Sequence, residues 1–234
     1  MAHVQSAHNA SSVAQTTLAA TFGAAVGSGG AVCGGFTFDT GATLTSVKDD
    51  KNNTYNTETV LQDGVSGQQC VAFSLGNITN APTIITATIS PAVAFLAMVV
   101  DEYSAILATA DPRDVHGGQI QDGIAHPLPG TGTDGISSGS FTTGTNGDLI
   151  YGVTFDTSST ILATAGTGYT SETTSNVAST PPTLSEDKTQ TTAGSVAATF
   201  MEAGGNANAI TFLIALKPVV AGARASTLPL MGVG

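Results

Sequence analysis

Tryptophan is absent from this chain of 234 residues, and lysine and arginine together number six. Lys48, Lys51, Arg113, Lys188, Lys217 and Arg224 stand against 17 acidic residues, a formal net charge of −11. A surface so short of cations repels phosphate backbones, so neither nucleic acid nor an anionic membrane is an expected partner. No run of 18 apolar residues occurs, and the opening MAHVQSAHNA has neither a basic nor an apolar signal region. Neither a membrane span nor Sec-type export is expected from these features, and the Asn-x-Ser/Thr triplets at Asn9, Asn52 and Asn77 then carry little meaning. The two cysteines form no CxxC pair and make no zinc site.

Charged residues are also scarce, at 10%, while hydrophobic residues reach 41%, enough for a real core. The chain is rich in threonine, serine and alanine and has 28 glycines, a mixture that disfavours helices and suits short strands joined by tight turns. The expected fold class is all-β, a β-sandwich or jelly roll.

Strand parity supports that class. In AVCGGFTF, Val32, Phe36 and Phe38 share one face, with Cys33, Gly35 and Thr37 on the other. Leu149, Tyr151, Val153 and Phe155 share a face in a second run, as do Ile210, Phe212, Ile214 and Leu216 in a third. These read as half-buried strands. AFLAMVV (94–100) is apolar at both parities and reads as a central strand covered on both sides.

GFTFDT at 35–40 returns as GVTFDT at 152–157, an offset of 117 (152 − 35). In each place a Gly-rich turn precedes a strand, an Asp-Thr break and a second short strand. CVAFSL and TIITATIS then follow the first copy, VAATF and ITFLIALKP the second. An internal pseudo-twofold repeat, one copy per sheet, accounts for this; coincidence in a Thr/Gly-rich chain is the competing reading. The expected organisation is an N-terminal segment 1–13, one sandwich domain 14–218 and a C-terminal arm 219–234. Within the domain, halves at about 14–108 and 136–218 flank a long polar loop, 109–135. The arm, VVAGARASTLPLMGVG, spans roughly 50 Å if extended at about 3.3 Å per residue. Leu228, Leu230 and Met231 suit an intersubunit contact, against the plainer reading of a frayed terminus.

Few residues carry chemistry. Cys33 and Cys70 fall on the less apolar faces of their strands, open to two readings: a disulfide worth about 3–4 kcal/mol, or two buried thiols. His3 and His8 lie near the start and His116 and His126 in the long loop, none with metal-motif spacing; no metal and no cofactor is expected. Asp101 and Glu102 are adjacent and so face opposite ways in a strand; an acid/base pair would need Asp39 or Asp156 as a partner. Asp50, Asn52 and Thr54 mimic the start of a calcium loop, but a tight Asn-based turn explains them better. No catalytic residue is assigned.

LTSVKDDKNNTYN, VDEYSAI, TNGDLIYGVTF, GTGYTSET, EDKTQTTAGSVAATF and ITFLIALKP follow one another in order. Together they resemble a β-sandwich domain family found in bacteriophage virion proteins and large secreted bacterial proteins, over residues 14–218. That family's blocks read D-x-x-GNTY, EYSG, GDL, GYT, K/TQ-x-x-AG and ALKP. Asn53 stands where the first turn usually has glycine, and the lack of tryptophan departs further. The resemblance implies a non-enzymatic virion structural protein, a capsid decoration, head-fibre or tail-surface subunit. Its implied location is the virion, its partners other virion proteins and copies of itself. The alternative is a carbohydrate-binding or adhesin module that meets a host-surface glycan.

Overall fold

The computed structural model describes residues 1–121, 135–157, 163–177, 180–201 and 208–219, and among these described residues alternating runs of small β-branched and aromatic residues, cut by Gly, Asn and Pro turns, give strands and no helix. The first strands are β1 (Ala2–Ser11), β2 (Gln15–Thr21), β3 (Gly30–Asp39), β4 (Thr43–Asp49) and β5 (Asn56–Thr57). After them come β6 (Leu61–Gln62), β7 (Gln68–Ile78), β8 (Ile84–Val93) and β9 (Leu96–Ser104). The remainder opens with β10 (Arg113–Gln121), β11 (Ile136–Ser137), β12 (Phe141–Thr142), β13 (Asp148–Asp156) and β14 (Thr164–Ala165). It closes with β15 (Thr170–Ser175), β16 (Thr183–Gln190), β17 (Ser195–Val196), β18 (Thr199–Met201) and β19 (Ala209–Leu216).

Two antiparallel sheets form the middle of the molecule, one ordered β1-β9-β3-β7-β5 with β6 also on β7, the other β10-β19-β13-β16-β15. Between them lies a core of Cys33, Cys70, Val99, Tyr103, Tyr151, Val153, Phe155, Phe212 and their neighbours. The first sheet's other face packs Phe36, Phe38, Phe73 and Met98 against Leu18, Val47, Ile85 and Ile89 of the small sheet β2-β8-β4. The second sheet's other face packs Ile150, Leu184 and Leu213 against Ile136, Val196 and Phe200 of the short pairs β11-β18-β14 and β12-β17. The β-sandwich class holds, with four layers in place of two.

The extra layers change one expectation. β3 and β13 are buried along nearly their whole length rather than on one face. Small residues at the second parity let the middle sheets approach: a Cβ on Gly35 would lie 2.6 Å from the Phe155 ring. β9 is buried on both sides, as its sequence indicated, with Met98 in the outer core and Val99 in the inner one.

The repeated phrase occupies β3 and β13, each the third strand along its five-strand path. Residue by residue, however, the two copies face different ways. Phe36 and Phe38 point to the outer core, Val153 and Phe155 to the inner one. Because side chains alternate, matched residues of the two copies lie on non-equivalent faces, and the expected pseudo-twofold repeat is not established by this placement.

Two segments assigned to irregular structure are strands. Residues 2–11 form β1 on the edge of the first sheet, paired with β9, so the ordered body does not begin at residue 14. Residues 113–121 form β10 on the edge of the second, paired with β19, which shortens the expected loop 109–135. Both are polar or Gly-rich because an edge strand contributes backbone hydrogen bonds while much of its surface meets water. The DDKNNT segment is a tight turn: Asp49 accepts bonds from the amides of Lys51 and Asn53, and Asp50 from those of Thr83 and Ile84. Asn52, not Asn53, takes the left-handed conformation there, at φ 64°.

Candidate functional site

The middle sheets meet along two lateral margins, and each margin is bridged by charge. At one, His3 of β1 reaches Glu172 of β15, Nδ1 to Oε2 at 2.9 Å. At the other, Glu58, which follows β5, receives Arg113 Nη1 at 2.7 Å and His116 Nδ1 at 2.6 Å, both from β10. His3 and Arg113 each lie just before a register shift in their edge strand. The glutamates belong to similar phrases, YNTET at 55–59 and YTSET at 169–173, an offset of 114 (172 − 58).

The first margin is filled. His3 Nε2 bonds Ser6 Oγ at 2.8 Å, and Ser6 in turn donates to the fully buried Asp101 at 2.6 Å. Tyr151 donates its hydroxyl to the other Asp101 oxygen at 3.1 Å, and the Tyr103 and Tyr151 rings meet edge to face. Too many carboxylates gather here for one cation. Burial, then the like charge of Asp187, pushes Glu172 up to about 7 against the opposing pull of His3. Burial likewise raises Asp187. The Asp101 carboxylate, 3.7 Å away, raises His3 above its ordinary value, with burial opposing and Glu172 adding to the rise.

The second margin is open. A cleft of about 320 Å³ lies beside the Glu58–His116 pair, with Thr59, Leu61, Phe141 and Phe212 completing its walls. Gly117 and Gly118 shape it: a Cβ on Gly117 would lie 2.8 Å from the Phe141 ring, and one on Gly118 2.6 Å from that of Phe212. Glu58 is nearly buried, with 5% of its side chain exposed, while His116 stands at the rim with 41% exposed. Arg113 is shared with Asp111, which accepts from its Nε at 2.7 Å. The cleft thus offers a charge-compensated carboxylate, a histidine, a hydroxyl and aromatic surface.

The residues singled out from sequence fall elsewhere. Cys33 and Cys70 lie on adjacent strands, but Cys33 pairs in register with Ser74 and Cys70 with Thr37. Four residues of strand, about 13 Å, separate them, more than twice the usual disulfide span of about 6 Å. Both are free, buried thiols, and burial pushes both well above the ordinary thiol value, so the disulfide reading is corrected. Asp101 and Glu102 do face opposite ways, Asp101 toward Tyr151 and Glu102 toward Gly27 and Gln5. Asp39 lies six residues along β3 from Cys33, the residue opposite Asp101, so about 20 Å away, and Asp156 lies five along β13 from Tyr151. No acid/base pair with Asp101 is assembled from these. His8 sits exposed on β1, opposite Val99. His126, Leu228, Leu230 and Met231 lie outside the described residues.

A further pair of carboxylates, Asp114 and Asp148, lies at β10. Asp148 at the start of β13 is fully buried, and neither of its oxygens meets a hydrogen-bond donor among the described residues. Burial first, then the adjacent Asp114, pushes it up to about 7. Asp114 is held low by the Gly144 and Thr145 amides and by Lys217, 3.4 Å away, against burial. Sequence reading missed Glu58, Thr59 and Phe141, although the YNTET/YTSET likeness was there to be read. No family model, curated protein or solved structure matches the chain.

Proposed function

We propose that the chain is a structural subunit of a bacteriophage or phage-like particle, acting through contacts with copies of itself and with other virion proteins rather than through catalysis. The observation that carries this reading is the state of the sheet edges. β1 and β10 end the two middle sheets and carry exposed Val4 and Ile120, with Val13 exposed just after β1. Edge strands that carry exposed apolar side chains are suited to contacts between subunits. Polar groups also tie the middle sheets into one body: Asp63, in the turn after β6, accepts from Thr157 and Asn208 across the interface. The ordered motifs resembling the virion β-sandwich family agree with this role.

Sedimentation of native source material tests it, with mass spectrometry for this chain in the DNA-containing particle fraction. Many copies per particle are expected; a chain that stays soluble or on cells overturns the reading. Deletion of residues 219–234 is expected to leave the sandwich folded and to weaken assembly, and normal assembly of the truncated chain removes the arm from the account.

A further inference from the structure

We infer that the cleft at the Glu58–His116 margin is a binding site for a single neutral sugar ring. The two margins are unequal. Both join the same two sheets through a glutamate and a basic side chain from an edge strand, so bridging alone does not require a cavity. At the first margin the Tyr103 and Tyr151 rings meet beside Asp101; at the second, Gly117 and Gly118 let the Phe141 and Phe212 rings pack close, and about 320 Å³ lies beside the ion pair. That is the small end of ligand-sized pockets, room for one ring rather than a chain.

The chemistry of the walls selects the ligand. Glu58 accepts from Arg113 through one oxygen and pairs with His116 through the other, which leaves it lone pairs for two further donors but no uncompensated charge. The His116 Nε2 edge and the Thr59 hydroxyl add groups that both donate and accept according to protonation and rotation. Phe141 is half-buried and lines the cleft, so its ring adds apolar surface beside these polar groups. A guest with several hydroxyls along one edge and C–H groups on a face satisfies all of them. Anionic guests are disfavoured by the net charge of −11, and cationic ones by Arg113 already occupying the carboxylate. A neutral pyranose meets these conditions. One ring in a shallow cleft with one aromatic contact implies a Kd on the order of 1–10 mM. The inference stands apart from the particle reading, since a sugar site serves a subunit at any exposed surface.

The test is an amide ¹H–¹⁵N correlation spectrum of the full chain, titrated to about 50 mM with the methyl glycosides of glucose, galactose and mannose, and with methyl glucuronide as the charged control. Saturable shifts at His116, Gly117, Gly118 and Phe141 are expected with at least one neutral glycoside, and weaker ones with the glucuronide. Phe141→Leu and, separately, His116→Ala are expected to weaken binding at least tenfold, with dispersed spectra showing that each variant is folded. A linear tetrasaccharide of the preferred sugar separates a chain end, which would match the monosaccharide's affinity, from a free sugar, which would bind alone. Absence of shifts with every neutral glycoside, shifts that map elsewhere, tighter glucuronide binding, or unchanged affinity in both variants overturns the inference.

Discussion

At the β1–β15 margin a histidine and a glutamate meet among two tyrosines and two further carboxylates. At the β10 margin a glutamate meets an arginine and a histidine beside two glycines and a cleft. The pairing is alike and the surroundings are opposite. In the first, acid groups outnumber cations, and burial pushes Glu172 up to about 7 and raises Asp187 as well. In the second, one buried carboxylate is matched by two basic groups and space is left over. A salt bridge is therefore not a fixed contribution: what it does for the fold depends on which neighbours share its charge.

The largest effect is expected at Arg113. Its guanidinium is only 11% exposed, and removing it in Arg113→Met strands Glu58 with His116 alone. A loss of about 3 kcal/mol is expected in urea unfolding. His3→Gln at the other margin is expected to cost about 1 kcal/mol, because Ser6 and Tyr151 still donate to Asp101.

The pH dependence comes next. Glu172 and Asp148, both raised to about 7, bind protons more tightly in the folded chain. Each therefore favours folding below its ordinary carboxylate value and withdraws that support as pH climbs to about 7. His3, also raised, favours folding below its ordinary 6.5 and loses that contribution as pH passes its folded value. Asp63, Asp111 and Asp114 are held low and act at the acid end, their support present above 3.8 and lost on further acidification. Thermal unfolding is expected to be highest near pH 5 and to fall by about 3–6 °C by pH 8. A flat profile from pH 5 to 8 would remove the carboxylate crowding from the account.

Asp148→Asn sharpens the same point at one residue. A neutral amide in place of a buried acid that faces Asp114 is expected to raise stability at pH 8 by about 1 kcal/mol and to have no stabilising effect at pH 5. The smallest effect is expected at the exit of β9, the strand that carries Asp101. Ala105 sits there at φ 59°, and Ala105→Gly is expected to add about 0.5–1 kcal/mol by relieving the left-handed conformation, measured by urea unfolding.

Much of this body was legible because its strands alternate. Phe36 and Phe38, Tyr151 and Phe155, and Phe212 and Ile214 each announced a shared face that the cores contain. The four layers were hidden because Cys33, Gly35 and Thr37 look like a solvent face, whereas small residues there let two sheets approach closely. β1 and β10 were hidden by their edge positions, where HVQSAHNAS and RDVHGGQIQ need no apolar period. The cleft was the least legible, since Glu58, His116 and Phe141 lie far apart in sequence and meet only when the sheets stack. The phrases at 35 and 152 both fall on strands, but their matched residues face different cores, so likeness of sequence did not fix the face.

The inequality of the margins is tested most directly by one substitution made at both. Glu58→Gln and Glu172→Gln are compared by urea unfolding at pH 8, each against the parent chain. Glu58→Gln is expected to cost about 2 kcal/mol, because it removes the charge that Arg113 and His116 share. Glu172→Gln is expected to change stability by less than about 0.5 kcal/mol or to increase it, because it relieves repulsion from Asp187. Equal losses at the two sites, or a larger loss at Glu172, would contradict the account.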